Sequence, residues 1–216
     1  MGGTVLLMHP IVDTLCIYNG VLFVCRKGSD IMKKLIIDLD DTITEKGFIR
    51  MVNEFLEADY EQEDSGTYYV NDLIPNERMD EWVKFFEDRN VYDYANIIEG
   101  AKETIKKLTE KYDVYIATSF VFRDKPEISG KIAYDKFNFI IKEFPFLNMR
   151  NIIMINNKDM LEADIRVDDS MKKLKGDAEL KLLFTAYHNK NISDDELSKE
   201  GITRVNTWNE IEKILL

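Results

Sequence analysis

Three carboxylates stand within four positions in Asp38-Leu39-Asp40-Asp41-Thr42, directly after the apolar run Leu35-Ile36-Ile37. Like charges crowded at one strand end repel one another, and burying them unpaired is costly. A divalent metal relieves that repulsion, and hard carboxylate oxygens suit Mg²⁺. The competing reading is a solvated strand-to-loop turn in which the aspartates are turn formers or helix caps. What else shares that edge of the fold decides between the two.

The elements that must position these residues follow from periodicity. Short apolar runs of strand length recur at Leu35–Ile37, Val114–Ala117, Ile152–Ile155, Ile165–Val167, Leu182–Phe184 and Ile202–Val205. Helical stripes lie between them: Ala101, Ile105, Leu108 and Tyr112, then Ile128, Ile132, Phe137 and Ile141. Thr207 with Glu210 three residues on predicts a capped last helix. Strands alternating with helices predict an α/β fold, a mainly parallel sheet with helices on both faces. Between Thr42 and Gly100 the pattern is helical and aromatic, with Phe48, Val52, Phe55 and Leu56 on one face and Met79, Trp82, Val83 and Phe86 on another. This stretch predicts a small helical cap inserted after the first strand, its aromatics mostly forming a core of their own. The expected division is an extension over 1–31, a core over 32–42 and 100–216, and a cap over 43–99.

In such sheets ligands gather at the carboxyl ends of the strands. There the sequence supplies Asp38 and Asp40, then Thr118-Ser119, then Asn156-Asn157-Lys158, then Asp168-Asp169. Each set alone is ordinary, but together they place carboxylates, hydroxyls and a cation on one sheet edge. Phosphoryl transfer needs an in-line nucleophile, charge neutralisation and a proton for the leaving oxygen. Asp38 is placed to be the nucleophile, forming an aspartyl phosphate, and Asp40 to act as acid and base. Thr118 or Ser119 would bind phosphate oxygens together with N–H groups of the following turn, and Lys158 would balance charge. Asp168, Asp38 and a backbone carbonyl near Asp40 would hold Mg²⁺, supported by Asp169.

Composition limits the partners. An apolar content of 45% and a charged content of 32% are those of a soluble globular chain. The net charge of −11 argues against polymeric nucleic acid or an anionic membrane as partner, but not against a small anionic substrate in a local cationic pocket. Cys16 and Cys25 form neither a zinc spacing nor a disulfide framework, which predicts a reducing, cytoplasmic setting.

These motifs, in this order, resemble those of the haloacid dehalogenase superfamily of phosphatases over residues 33–216. Lys158 followed ten positions later by Asp168-Asp169, with Thr118-Ser119 after an apolar strand, is similar more narrowly to the 5'(3')-deoxyribonucleotidase family. The resemblance implies a Rossmann-like core with a compact cap, and Mg²⁺-dependent hydrolysis of nucleoside monophosphates. It implies Asp38 as nucleophile, Asp40 as acid/base, Thr118 and Lys158 on phosphate, and Asp168 on metal. Lys46 stands where that family has a base-contacting aromatic, with Phe48 nearby, and the loop through Tyr68 and Tyr69 has no counterpart.

Two alternatives use the same residues. One is a phosphatase for another small ester, such as a sugar phosphate. The other is a receiver-like phosphoacceptor module, disfavoured because its acceptor follows a middle strand and lacks an acid two residues on. At the other end, Met32-Lys33-Lys34 reads as a natural chain start, so residues 1–31 are expected to be a dispensable extension, of the kind an upstream start codon adds. A chain expressed from Met32 is expected to keep its fold and its turnover. Loss of either, by circular dichroism or phosphate release, would refute this.

Overall fold

The computed structural model describes residues 14–18, 21–25, 32–122 and 125–216. Two compact units result, Met1–Met32 and Lys33–Leu216. In the first, β1 (Thr14–Tyr18) pairs antiparallel with β2 (Val21–Cys25), bringing Tyr18 opposite Val21. The strand-like apolar run Val5–Met8 and the turn-type pair Asn19-Gly20 lie outside the described residues.

The second unit begins with β3 (Lys34–Ile37). The short strand β4 (Thr44–Glu45) and the helices α1 (Gly47–Leu56) and α2 (Met79–Glu87) follow, then β5 (Asn96–Ile97) and α3 (Ala101–Leu108). The chain continues through β6 (Asp113–Thr118), α4 (Pro126–Glu143), β7 (Ile152–Met154), β8 (Ile165–Asp168) and β9 (Leu180–Phe184). It ends with α5 (Asp194–Lys199), β10 (Ile202–Val205) and α6 (Trp208–Leu215).

Six strands form one parallel sheet in the order β10-β9-β8-β3-β6-β7. Leu35, Ile36 and Ile37 are all buried, as a central parallel strand covered on both faces requires. The chain leaves β3 toward β6 on one side and later returns to β8 on the other. Strand order therefore reverses at β3, and its carboxyl end opens into the crevice where such sheets bind ligands.

The segment after β3 is anchored by a two-stranded ribbon. β4 pairs antiparallel with β5, and the Ile98 N–H donates to the Ile43 carbonyl at 2.9 Å. Within the helical segment that starts and ends on this ribbon, the Phe55 ring lies 5.3 Å from Trp82 and edge-on to it. Trp82 in turn lies 5.8 Å from Phe86. Trp82 and Phe86 are buried, so the aromatic pattern there is chiefly a packed core. That core continues into the sheet domain through Phe86 against Phe122 at 5.8 Å and Tyr92 against Phe139 at 4.8 Å.

Two helical stripes differ from expectation. Phe137 of α4 is exposed and Ile141 only half-buried, whereas Ile128, Ile132, Lys136 and Ile140 form the covered face at a spacing of four. The α-helical repeat of 3.6 keeps positions four apart on one side, and the covered side includes a lysine. Tyr112 is buried but lies beyond the end of α3, where its hydroxyl donates to the Leu215 carbonyl at 2.8 Å.

The Thr207 side chain caps α6 by accepting from the Glu210 N–H at 3.2 Å, while the Glu210 carboxylate accepts from the Asn206 N–H one residue earlier. Trp208, fully buried at the start of α6, donates its indole N–H to the Thr42 carbonyl at 2.9 Å. The last helix is thereby tied to the turn that follows Asp41. Trp208→Phe keeps most of the apolar volume but strands that carbonyl. A loss of about 1–3 kcal/mol of stability is expected in urea unfolding. An unchanged midpoint and slope would show that the tie contributes nothing.

Candidate active site

Parallel register brings the acids together. Ile37 of β3 pairs with Val167 of β8, so the next residues, Asp38 and Asp168, emerge side by side. The Asp38 N–H donates to the Val167 carbonyl at 2.9 Å and fixes the strand end. The chain then turns sharply, with the N–H groups of Ile43 and Thr44 both donating to the Leu39 carbonyl at 2.8 and 2.9 Å. Asp41 occupies the left-handed region of that turn at φ 55°, a conformation that aspartate tolerates better than most residues.

Lys158, buried in a short 3₁₀ turn, lies between the two carboxylates. Its Nζ is 2.7 Å from Asp38 Oδ1 and 2.6 Å from Asp168 Oδ2. The other oxygen of Asp168 accepts from the Ser170 N–H at 2.9 Å. Asp169 Oδ2 meets His188 Nε2 at 2.6 Å, and the Asp169 carbonyl accepts from Asn189 Nδ2 at 2.7 Å. Asp169 Oδ1 is buried with no hydrogen-bond partner.

Asp40 stands on the other side of the site. Its Oδ1 accepts from the Tyr92 hydroxyl at 2.7 Å, and its Oδ2 accepts from Lys136 Nζ. Lys136 also donates to Thr118 Oγ1 at 2.7 Å and to the Ser119 carbonyl. Ser119 Oγ accepts from Lys173 Nζ at 3.1 Å. The N–H groups of Phe120 and Val121 were expected to face phosphate. Instead they donate to Asn156 Oδ1 at 3.1 and 3.2 Å, because that amide reaches across from the loop after β7.

All seven residues singled out by sequence, Asp38, Asp40, Thr118, Ser119, Lys158, Asp168 and Asp169, therefore lie at the carboxyl edge of the sheet. Lys136, Lys173, Tyr92 and His188 were missed. A signal existed for Lys136, which lies four residues from both Ile132 and Ile140 on the covered face of its helix. Lys173, Tyr92 and His188 reach the site from turns and loops, where spacing carries no comparable mark.

Charge is distributed unevenly over the site. Burial alone would raise the Asp38 carboxyl, but the Lys158 and Lys173 ammonium groups outweigh it and hold the acid below its usual range. Asp169 goes the other way, pushed well up by burial and by the neighbouring charges of Asp168 and Asp38. Asp168 is raised by burial and by Asp38, against the pull of Lys158. Burial, with repulsion from Asp40 and Asp38, pushes Asp41 up to about 7 despite the Gln62 hydrogen bond.

Asp38, Asp168 and Asp169 each offer a carboxylate oxygen within 4.8 Å of the others. An all-oxygen donor set with one buried oxygen lacking a partner fits a hard divalent cation such as Mg²⁺. The Asp40 carboxylate lies outside that set, engaged by Tyr92 and Lys136. Asp41, Asp169 and His188 form a second such group that shares Asp169.

The acids open into a cavity of about 430 Å³. Asp38, Asp40, Ser119, Lys136 and Lys173 line its polar part, while Phe48, Tyr68, Tyr69, Phe120, Phe122 and Tyr187 line its aromatic part. Lys46 lines the cavity too. Among the contacts that tie the aromatic wall to the sheet domain, the Tyr187 hydroxyl donates to the Tyr68 carbonyl, the Tyr68 ring lies 4.5 Å from that of His188, and Lys190 pairs with Glu63.

This sheet order, with acids at the switch point and a helical segment after the first strand, defines an α/β protein built on a doubly wound parallel sheet. The crystal structure of a protein from Lactobacillus delbrueckii subsp. bulgaricus, provisionally described as a phosphoglycolate phosphatase, superposes with a TM-score of 0.52. That match covers 86% of this chain and 98% of the other at 13% identity, and so speaks for the fold alone.

Residues 32–216 match the family described as 5' nucleotidase, deoxy (pyrimidine), cytosolic type C, and the chain belongs to that family. A 5'(3')-deoxyribonucleotidase of Bacillus subtilis (strain 168) is 31% identical over 129 residues, 60% of this chain and 67% of the other. A protein of Staphylococcus aureus (strain Mu50), provisionally named 5'(3')-deoxyribonucleotidase, is 28% identical over 186 residues, 85% of this chain and 96% of the other.

Lys136→Met preserves the length of the side chain and removes its donors. Thr118 Oγ1 and the Ser119 carbonyl then lose their partner, and a destabilisation of about 1–3 kcal/mol is expected. Thermal unfolding monitored by calorimetry measures it. A variant as stable as the parent would show that Lys136 holds neither group.

Proposed function

We propose that this protein is a Mg²⁺-dependent 5'(3')-deoxyribonucleotidase, releasing phosphate from deoxyribonucleoside monophosphates through an aspartyl-phosphate intermediate. One observation carries the reading. In a chain of this family, a depressed carboxylate (Asp38) and a second acid held by a lysine and a tyrosine (Asp40) meet at the floor of an aromatic-walled cavity.

In the first half-reaction an oxygen of Asp38 attacks phosphorus, and the bond from phosphorus to the ester oxygen breaks. Asp40 gives its proton to the departing alkoxide. In the second, Asp40 takes a proton from water as that water attacks the same phosphorus, and the bond to Asp38 breaks. Inorganic phosphate leaves with Asp38 free and Asp40 protonated again. Lys158 holds Asp38 ionised and abreast of Asp168, ready to attack. Lys136 spans Asp40 and Thr118, setting the acid beside the hydroxyl that binds phosphate. Ser119, held by Lys173, supplies a second hydroxyl.

Asp38, Asp168 and Asp169, with the backbone near Asp40, would hold Mg²⁺, which supplies charge neutralisation between an anionic nucleophile and an anionic ester. The helical segment over 43–99 serves as a cap, and its Phe48, Tyr68 and Tyr69 offer flat apolar surface to a nucleobase. A cytoplasmic setting agrees with this substrate. Among the described residues no helix is long and apolar enough to cross a membrane.

The test is phosphate release with Mg²⁺ from paired ribo- and deoxyribonucleotides and several sugar phosphates, run beside Asp38→Asn. Preference for deoxynucleotides is expected, with turnover abolished in the variant and by a chelator. Preference for sugar phosphates would discard the substrate class. Substantial turnover by Asp38→Asn would discard the nucleophile.

A further inference from the structure

A buried arginine lies behind the site. Arg166 sits mid-strand in β8, paired on one side with Ile36 of β3 and on the other with Lys181 of β9. The residue is 3% exposed. A strand buried on both faces normally carries an apolar residue at such a position. A guanidinium there is costly unless its donors are satisfied, and buried charges are usually paired with an opposite charge. Among the described residues no carboxylate lies within ion-pair distance of Arg166.

The two terminal nitrogens donate to backbone carbonyls instead, while Nε is buried without a partner. Nη1 donates to the Lys158 carbonyl at 3.2 Å and more weakly to the Lys173 carbonyl at 3.5 Å, and Nη2 donates to the Leu161 carbonyl. Those acceptors belong to the two loops that flank β8, one before the strand and one after it. The first carries the 3₁₀ turn Lys158–Met160, and the second carries Met171–Leu174. Each loop delivers one lysine to the site. Lys158 reaches Asp38 and Asp168, and Lys173 reaches Ser119. One fork of N–H groups therefore holds the main chain of both cations from behind, two positions along the same strand from Asp168. The planar, multi-donor guanidinium can span several carbonyls at once, which a lysine ammonium at the same place cannot match.

We propose that Arg166 is a positioning residue that sets the spacing of Lys158 and Lys173 around the phosphoryl site. It touches neither substrate nor metal and acts through those two lysines. The inference rests on the phosphatase reading above.

The experiment uses the full chain and three variants, Arg166→Ala, Arg166→Lys and, for comparison, Lys158→Ala. Turnover of a phosphate ester is measured with Mg²⁺, and affinity for inorganic phosphate by calorimetry. Each is repeated with guanidinium ion added at concentrations too low to unfold the parent. With both lysines displaced, Arg166→Ala is expected to lose on the order of a hundredfold in kcat/KM. It should bind inorganic phosphate more weakly and recover part of both when guanidinium refills the slot. Arg166→Lys should fold but recover little, and Lys158→Ala should show no rescue.

A folded Arg166→Ala with parental turnover and phosphate affinity would overturn the proposal. So would rescue that is equal in Lys158→Ala, or failure of both Arg166 variants to fold, which would make the residue a structural part of the core. If the parent itself releases no phosphate from any ester, the phosphatase reading fails. Phosphate affinity and its rescue still judge Arg166 in that case.

Discussion

The structure depends on one buried cation between two carboxylates. Lys158 separates Asp38 from Asp168 at the ends of neighbouring strands, and all three are almost wholly inaccessible to solvent. Removing one member of such a group leaves uncompensated buried charge, a loss of about 3–5 kcal/mol in comparable pairs. The parallel register of β3 with β8 makes the arrangement hold. A slip by one residue would turn one carboxylate to the opposite face of the sheet. Sheet topology and site electrostatics are here a single constraint.

Around that centre the protein balances its acids with lysines drawn from unrelated elements. Lys136 comes from the covered face of α4, Lys158 from the turn after β7 and Lys173 from the turn after β8. A chain with a net charge of −11 thus builds a local region fit for an anionic ester. The result also differs from side to side. Asp38 is held ionised by lysines, whereas Asp169, with no ammonium bound to it, is pushed toward its neutral form. Two carboxylates one strand apart are given opposite tendencies by what stands next to them.

How much of this could be read from the sequence follows from locality. The strands were legible because each is an apolar run bounded by polar residues. Asp38, Thr118 and Asp168 were legible because strand ends in a parallel sheet are functional ground. Lys158 was reachable as the polar residue in the loop after β7. Lys136 was obscured because the stripe was followed through Phe137 and Ile141 instead of through positions spaced by four. Lys173, Tyr92 and His188 gave no local sign, since only the tertiary fold brings their loops to the site. Arg166 sat inside a strand of correct type, and nothing in Ile165-Arg166-Val167 says what its side chain would hold.

The helical segment between β4 and β5 stands on a two-strand stem, an arrangement that invites exchange of one module for another over evolutionary time. Tyr92 complicates such exchange. It belongs to that segment, yet its hydroxyl is one of the two groups holding the Asp40 carboxylate. A lineage that replaced the segment would therefore also loosen the carboxylate to which the proposed reaction gives the proton transfers. In the proposed reaction, selectivity and reactivity would be coupled through one phenol, and the segment would be free to drift in sequence only where it does not disturb the path from the stem to Tyr92.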